Sequence, residues 1–312
     1  MKSGGKIVIL GAGHVGSHCG MALAWRGICQ EVVLVDKNEK KAAAQAMDIS
    51  DALTFPPSAA VVRQGSYSDC ADADIVVIAI GEPRLPGQTR LDLLESSARM
   101  LRELTETLKP IGIGGVVVTI TNPADIAAYY VRRELDLPRE RVFGTGTLLD
   151  TARLVKTISE KSGVFRGAIS AFSMGEHGDS SMIPFSQVRI GALPLDSYPG
   201  LDKEYILERT RMTGMDIING KDSTEFGIGQ ALTALCASIL GDERQVFPLS
   251  VLLEGEYGQR DVNCGVPCVV GRNGIESIVE LPLTSEEQAQ LDASCDIIRR
   301  HIEKACNQHK VI

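Results

Sequence analysis

Two patterns of hydrophobic and polar positions divide the chain near residue 145. Before that point, short runs of consecutive apolar residues alternate with longer segments whose apolar residues recur every three or four positions. Continuous short runs are typical of strands buried on both faces, and the longer spacing is typical of helices. The pattern predicts strands over residues 6–10, 31–35, 60–63, 74–80 and 116–120, and helices over 17–26, 37–53, 91–109 and 122–135. Repeated strand–helix units of this kind predict a doubly wound parallel sheet.

After that point the strands no longer alternate regularly with helices. We predict helices over residues 150–162, 202–219 and 224–240, and strands over 168–174, 184–190, 246–253 and 266–271. A capping box from Thr284 to Glu287 predicts the start of a last helix. The apolar stripe of that helix (Leu291, Cys295, Ile298, Ile302, Ala305) requires a packing partner. We therefore predict an N-terminal parallel-sheet domain over residues 1–145 and a second α/β domain with antiparallel strands over 146–312.

Composition narrows the classes of partner. The 312 residues carry a net charge of −8, which argues against a nucleic-acid-coating protein because phosphate binding needs a basic face. No apolar run approaches the roughly 18 residues of a membrane helix, so we expect no membrane partner. The eight cysteines form no CxxC pair, and we expect reduced core thiols, no metal site and a cytoplasmic location.

The first predicted strand is followed at once by a glycine-rich turn, Gly11-Ala-Gly13-His14-Val15-Gly16, and then by a helix. The second strand ends at Asp36. Strand, glycine turn, helix, strand and acid form the context of a dinucleotide-binding fingerprint, in which the helix N-terminus faces the pyrophosphate. A carboxylate at Asp36 can accept hydrogen bonds from ribose hydroxyls and would repel a 2′-phosphate, so the sequence favours NAD over NADP.

Ligands of doubly wound sheets bind at the carboxyl ends of the strands. Three loops are predicted to lie there: the glycine-rich turn, the segment after Ile80, and the segment 121–123. The predicted cofactor-binding residues are accordingly Gly11, Gly13, His14, Val15, Gly16, Asp36, Gly81, Thr121 and Asn122.

His177 stands between Gly175 and Gly178 in the segment Gly-Glu-His-Gly-Asp. Imidazole is the side chain best suited to exchange a proton near neutral pH, and glycines permit the backbone bends that aim a side chain into a cleft. A histidine in a glycine-rich loop also occurs as an ordinary turn residue. The histidine therefore becomes a candidate general acid only together with other residues.

Arginines supply such partners. Arg84 and Arg90 lie in a proline- and glycine-rich loop at the ligand end of the predicted sheet, and arginine is the usual side chain for holding carboxylates. Solvated loop arginines would explain the same spacing. Asp150 and Arg153 are three residues apart on one predicted helix face, where either a functional pair or a surface ion pair is expected.

Taken together, five motifs resemble the L-lactate/L-malate dehydrogenase family over essentially the whole chain. They are the glycine-rich turn, the Arg84 to Arg90 loop, the segment Thr-Asn-Pro-Ala-Asp over 121–125, the segment Leu-Asp-Thr-Ala-Arg over 149–153, and the histidine segment. The resemblance implies a Rossmann NAD domain, an α/β substrate domain, and a homodimer or homotetramer.

The resemblance also implies roles in reducing a 2-keto acid. His177 would donate the proton, and Asp150 would accept the other ring N–H and favour the charged imidazole. Arg153 would hold the substrate C1 carboxylate, and Arg90 would polarise the carbonyl. Asn122 would hydrogen-bond the substrate or nicotinamide region, and residues 82–90 would close as a lid.

Arg84 occupies the position at which the family separates its substrates. Malate enzymes carry arginine there, which meets the second carboxylate of oxaloacetate, so we predict L-malate/oxaloacetate. Glu82 could neutralise Arg84, Leu85 replaces a common polar residue, and Thr224 resembles the lactate-type pocket, whereas Gln88 favours a dicarboxylate. The alternative is L-lactate/pyruvate or a bulkier 2-hydroxy acid.

Two other classes stay open as alternatives. An NAD-dependent glycosidase shares this fold but needs a metal-binding Cys/His pair, and no cysteine is near His177 in the sequence. A non-catalytic NAD sensor would have little reason to retain Arg90, Asp150, Arg153 and His177 together.

Overall fold

The computed structural model describes residues 4–56, 58–81 and 90–307, and for residues 90–95, 306 and 307 it describes the backbone alone. The described strands are β1 Lys6–Leu10, β2 Glu31–Val35, β3 Val61–Gln64, β4 Ile75–Ile78, β5 Val116–Thr119, β6 Val142–Gly144, β7 Ile169–Ser170, β8 Arg189–Ile190, β9 Leu193–Pro194, β10 Gln245–Glu254, β11 Arg260–Gly271 and β12 Gly274–Ile278. The described α-helices are α1 His14–Arg26, α2 Glu39–Ala52, α3 Arg90–Leu108, α4 Ala124–Leu135, α5 Leu148–Ser162, α6 Lys203–Lys221, α7 Phe226–Gly241 and α8 Ser285–Asn307.

A single nine-stranded sheet runs through the molecule in the order β12-β11-β10-β6-β5-β4-β1-β2-β3. The six strands from β6 to β3 are parallel, which confirms the parallel sheet predicted from the first five of them along the chain, and their order reverses between β1 and β4. That reversal is the point at which doubly wound sheets form a ligand crevice. β10 joins the edge of β6 in antiparallel fashion through Ser250 and Gly144, so strands from both halves of the chain share the sheet.

Strand β1 is buried on both faces, as its continuous apolar run predicts. Ile7 and Ile9 lie in a core cluster with α1, α7 and α8, whereas Val8 and Leu10 lie in a second cluster with α3 and α4. Because side chains alternate across a strand, the run feeds both layers of helices. Helix α8 buries its predicted stripe, with Leu291, Cys295 and Ile298 fully inaccessible.

The strands predicted over residues 168–174 and 184–190 are largely wrong. Only the two-residue strands β7 and β8 form, and residues Phe185–Gln187 make a 3-10 turn. The intervening backbone bonds elsewhere, since the Ser173 N–H donates to Thr151 Oγ1 at 2.8 Å. Buried Ala171 and Ile183 pack on the core of α5, so an irregular segment carries the same apolar pattern as a strand.

Strands β6 and β12 were not among the predicted elements, because the hydrophobic pattern of each is weak. β6 is three residues long, and β12 contains exposed Glu276 and Ser277. The sequence also underestimates β11, which extends back to Arg260. Within the described residues, no helix combines the length and the apolar character needed to cross a membrane.

Candidate active site

The turn between β1 and α1 depends on two glycines that cannot be replaced without a clash. Gly11 has a φ of +109°, and a Cβ there would lie 2.6 Å from the carbonyl oxygen of Ala79. A Cβ on Gly16 would overlap the carbonyl oxygen of Gly11. At Gly13, by contrast, the nearest atom to an added Cβ is Lys41 Nζ at 3.8 Å. The turn is therefore folded tightly on itself and leaves an open cradle above Gly13.

The N-terminus of α1 opens onto this cradle. Gly13 is the N-cap residue, and no side chain caps the helix. His14 is exposed and Val15 is half-buried. Unpaired backbone N–H groups and the positive end of the helix dipole suit a bound phosphate, so the turn fits the pyrophosphate of a dinucleotide.

Asp36 follows β2 and lies beside the glycine turn. Its Oδ2 accepts the N–H of Ala12 at 2.8 Å, and its Oδ1 accepts the N–H of Asn38 at 2.9 Å. Each carboxylate oxygen keeps one further acceptor site. The side chain is thus held in place by the backbone and can still accept hydrogen bonds from two ribose hydroxyls.

The other predicted cofactor loops lie at the same edge of the sheet. Thr121 is buried and its Oγ1 donates to the carbonyl of Ile80 at 2.8 Å, which joins the loops that follow β4 and β5. Gly81 and Asn122 are exposed beside this contact. The Asn122 carbonyl accepts Ser97 Oγ at 3.0 Å. The three loops therefore surround one crevice.

His177, Asp150 and Arg153 form one hydrogen-bonded group. His177 Nδ1 donates to Asp150 Oδ2 at 2.6 Å, and Arg153 Nη1 donates to Asp150 Oδ1 at 2.9 Å. The Asp150 and Arg153 side chains are 9% and 11% exposed, so theirs is a buried pair rather than a surface ion pair. Among the described residues, Nδ1 is the only nitrogen of the His177 ring with a hydrogen-bond partner. Nε2 is therefore the atom available to a substrate.

These contacts set the protonation of the pair. The negative charge of Asp150 raises the pKa of His177 to about 9, although burial of the ring opposes the shift. Burial alone would raise the pKa of Asp150, but the charges and hydrogen bonds of His177 and Arg153 together lower it. At neutral pH the site holds an imidazolium beside a carboxylate, which is the state that donates a proton.

The histidine loop is fixed by three consecutive backbone N–H groups, each bound to a different element. Gly175 donates to the carbonyl of Gly265 on β11 at 2.9 Å. Glu176 donates to Ser294 Oγ on α8 at 2.8 Å, and His177 donates to Asp125 Oδ2 on α4 at 2.9 Å. The strongly bent backbone follows from this anchoring, since Gly175 has a φ of +90° and a Cβ there would lie 2.6 Å from Ser294 Oγ.

The sequence did not identify the anchoring residues Asp125 and Ser294, or Ser250, whose hydroxyl donates to Asp125 Oδ1. Asp125 lies in the quoted segment over 121–125, three residues after Asn122, and this position was the only available signal. Ser250 and Ser294 lie in β10 and α8 and follow no motif. Their contacts join residues far apart in the chain, 118 positions in the case of Glu176 and Ser294.

Glu176, the acidic residue directly before His177, has partners other than the His177 ring. Glu176 Oε2 accepts the hydroxyl of Ser180 at 2.6 Å, and its Oε1 lies 3.9 Å from His301 Nδ1 on α8. A cavity of about 440 Å³ lies behind the loop, between Glu176 and Asp179 on one side and Arg300 and Lys304 on the other. Neither His177 nor Asp150 lines this cavity.

Arg84, a predicted substrate residue, lies outside the described residues, as do Glu82, Leu85, Gln88 and all of the predicted lid over 82–90 except residue 90. Arg90 begins α3, and its side chain is likewise outside the description. Thr224 is half-buried just before α7, whose Gly227 packs against Leu149, the neighbour of Asp150. The start of α7, which Thr224 precedes by two residues, therefore packs against the start of α5.

The described part of the chain contains no cluster of three or more histidine, cysteine or acidic side chains arranged to hold a metal ion. Seven cysteines are described, and all are buried free thiols. Burial raises the pKa of Cys19 and of Cys29 to about 12. Cys19 and Cys29 are therefore protonated core thiols at neutral pH.

Family models match nearly the whole chain. Residues 5–144 match the lactate/malate dehydrogenase, NAD binding domain, and residues 147–309 match the lactate/malate dehydrogenase, alpha/beta C-terminal domain. The chain is 40% identical over 305 residues to L-lactate dehydrogenase 3 of Bacillus cereus, covering 95% of this chain and 96% of that protein. It is 37% identical over 306 residues to L-lactate dehydrogenase of Fusobacterium nucleatum, covering 96% of both.

Solved structures that resemble this chain are also lactate dehydrogenases. A lactate dehydrogenase from a Medee basin deep-sea metagenome library superposes with a TM-score of 0.93 at 35% identity, covering 97% of this chain and 99% of that one. The minor L-lactate dehydrogenase of Enterococcus mundtii in its ligands-bound form gives a TM-score of 0.93 at 34% identity, with coverage of 97% and 98%.

Proposed function

The chain belongs to the lactate/malate dehydrogenase family, and from this premise we propose that it interconverts L-lactate and pyruvate. Its cofactor is NAD. The observation that carries the chemistry is the hydrogen bond from His177 Nδ1 to Asp150 Oδ2, the carboxylate that also binds Arg153. It leaves Nε2 without a partner among the described residues. The names of the similar proteins, L-lactate dehydrogenases, support the choice of substrate.

His177 is proposed as the general acid of pyruvate reduction. When bound, NADH supplies a hydride to C2 of the keto acid, and the carbonyl oxygen must then gain a proton. The His177 imidazolium donates that proton from Nε2 while Asp150 holds the opposite side of the ring. In lactate oxidation the neutral imidazole accepts the hydroxyl proton, and Asp150 stabilises the resulting cation.

Arg153 is proposed to bind the substrate carboxylate. One of its nitrogens is held by Asp150, so the guanidinium has a fixed orientation with further N–H groups free of that bond. A fixed planar fork suits a carboxylate. Arg90 is proposed to polarise the carbonyl, and Asn122 to bind the substrate or nicotinamide region.

Cofactor binding is assigned to the crevice at the reversal of strand order. We propose that the N-terminus of α1 holds the pyrophosphate above Gly13 and that Asp36 accepts the ribose hydroxyls. Gly81, Thr121 and Asn122 line the nicotinamide side. The division of the chain at residue 145 and the cytoplasmic location stay predictions.

Malate/oxaloacetate is the second candidate, and one residue favours it. Arg84 in the sequence would pair with a second carboxylate, and a hydrogen bond to a charged group contributes roughly 1.5–3 kcal/mol. Thr224, which resembles the lactate-type pocket, and the lactate dehydrogenases among the relatives favour the lactate alternative over our malate prediction. We therefore place pyruvate first.

The deciding experiment compares kcat/KM for pyruvate and oxaloacetate, measured by the loss of NADH absorbance. A preference for pyruvate of about tenfold or more, roughly 1.4 kcal/mol, supports the proposal. A preference for oxaloacetate supports malate, and in that case Arg84→Gln should lower kcat/KM for oxaloacetate about ten- to hundredfold while leaving pyruvate unchanged. Turnover of neither acid contradicts both substrates and points to longer 2-keto acids.

A further inference from the structure

Asp125 is a fully buried carboxylate directly behind the histidine loop, and the chemistry described above does not use it. Its side chain is 1% exposed. Oδ2 accepts the backbone N–H of His177 at 2.9 Å, and Oδ1 accepts Ser250 Oγ at 2.6 Å. The carboxylate therefore joins three elements: α4, β10 and the histidine loop.

The position of Asp125 also links the histidine to the cofactor crevice. Asp125 lies in the first turn of α4, three residues after Asn122. A movement of the loop after β5 would be carried to the backbone N–H of His177 through a single hydrogen bond. Of the three backbone N–H contacts that anchor residues 175–177 to other elements, this is the one made by His177 itself.

Burying a carboxylate is costly unless opposite charges or hydrogen bonds compensate for its lost hydration. No lysine or arginine is bonded to Asp125 among the described residues. The compensation therefore comes from two neutral donors, the His177 N–H and the Ser250 hydroxyl, and from the charge of the His177 imidazolium. A leucine or asparagine would fill such a position at less cost. We therefore look for the role of the buried Asp125 charge in its contact with His177.

We propose that Asp125 is a positioning residue for His177. It fixes the backbone N–H of the histidine and places a second negative charge behind the imidazolium. The inference rests on the proposed role of His177 as proton donor, and it adds a residue that touches neither substrate nor cofactor.

Titratable and hydrogen-bonding groups from four elements surround Asp125 and His177. Asp125 is faced by His177 and Glu176 of the loop, by Ser250 of β10 and by the thiol of Cys264 on β11. His177 is faced by Asp150 and Arg153 of α5 and by Asp125 of α4. Burial raises the pKa of Asp125 to about 6, so its carboxylate is ionised over the range near pH 9 in which His177 loses its proton.

Asp125→Asn removes the negative charge of the side chain and keeps its size and shape. The amide can present its oxygen to the His177 N–H and its NH₂ group to Ser250 Oγ, so both contacts survive while the negative charge is lost. The charge of Asp125 favours the imidazolium, so its removal should lower the pKa of the imidazole, by about one unit. Asp125→Ala removes the anchor as well, and kcat should fall about tenfold or more.

Ser250→Ala is the matched control. It deletes the other hydrogen bond to the same carboxylate and leaves the charge and the His177 contact in place. It should lower the thermal unfolding midpoint without moving the pKa of His177.

The pKa of His177 is measured by NMR on full-length, histidine-labelled protein, with the resonance assigned by its loss in His177→Gln. The basic limb of the kcat/KM profile for pyruvate is recorded in parallel. Asp125→Asn should move both to lower pH by the same amount. An unchanged NMR pKa in Asp125→Asn, or an unchanged kcat in folded Asp125→Ala, would overturn the proposal.

The NMR titration does not require turnover, so it tests the role of Asp125 separately from the proposed function. If the protein reduced no 2-keto acid, the proposed function would fail while the pKa shift in Asp125→Asn still stood. If Asp125→Ala did not fold, Asp125→Asn and Ser250→Ala would carry the test, because both preserve the volume of the site closely.

Discussion

Two buried carboxylates flank His177, and their surroundings shift their pKa values in opposite directions. Asp150 faces His177 and Arg153, and these cations outweigh its burial and lower its pKa. Among the described residues, His177 is the one cationic neighbour of Asp125, and burial raises the pKa of Asp125 to about 6. Burial is similar at both sites, so the number of neighbouring cations decides the direction.

The pH profile of the enzyme should follow the protonation of His177. Its pKa of about 9 lies above the ordinary value of 6.5, so the imidazolium predominates at neutral pH. Pyruvate reduction needs that form, and its kcat/KM should be level near pH 7 and fall as the pH rises through about 9. Lactate oxidation needs the neutral form and should rise over the same range.

Asp150→Asn tests the cause of the raised pKa. Loss of the carboxylate removes the largest stabilising influence on the imidazolium, and burial of the ring then lowers its pKa. The basic limb of pyruvate reduction should move to lower pH, and kcat/KM at pH 7 should fall about a hundredfold or more. NADH affinity, measured by fluorescence titration, should be unchanged. A limb that stayed near pH 9 would assign the ionisation to another group.

At the scale of elements, the turn between β1 and α1 allows a paired test of two glycines. The Cβ of Gly16→Ala would overlap the Gly11 carbonyl and force β1 and α1 apart, so the unfolding free energy should fall by about 1–3 kcal/mol. Gly13→Ala has free space and should unfold at the wild-type temperature. Its methyl group would occupy the proposed pyrophosphate cradle and weaken NADH binding about tenfold or more.

Thermal unfolding and NADH titration of both variants check this prediction. The two effects are expected to separate, with stability lost in one variant and affinity in the other. If Gly13→Ala bound NADH as tightly as the wild type, the pyrophosphate would have to lie elsewhere.

The same scale shows which elements the sequence can predict. The capping box of α8 is present, with Glu287 accepting the N–H of Thr284 at 3.0 Å, because all its atoms lie within one helical turn. Glu287 also accepts the N–H and hydroxyl of Ser186. That contact spans 101 positions and holds the 3-10 turn that replaced a predicted strand, so no local pattern could indicate it.

At the scale of the molecule, the parallel sheet follows from the apolar runs of β1, β2, β4 and β5, whereas the continuity of the sheet past residue 145 does not. Only Ser250 pairs with Gly144 at that junction. In the site, too, some features follow from the local sequence and others do not. Motifs indicate His177, Asp150 and Arg153, but the contacts that anchor the histidine loop arise from tertiary packing alone.

The surface of α6 predicts association of this chain with itself. Tyr205, Met212, Met215 and Ile218 lie on one face of the helix, and each is 38–45% exposed. A row of large apolar side chains at this spacing is typical of a helix that packs against a partner. We therefore expect a homodimer or homotetramer in solution, with a mass two or four times 33.5 kDa by light scattering.

Met215→Glu should weaken this association and shift the measured mass toward 33.5 kDa, because a charge in an apolar interface loses its hydration without gaining a partner. Val61→Glu provides the control, since Val61 is 57% exposed on the outer strand β3 and lies outside the α6 face. Its mass should equal that of the wild type. A wild-type mass of 33.5 kDa would refute self-association, and an oligomer unaffected by Met215→Glu would place the interface on another surface.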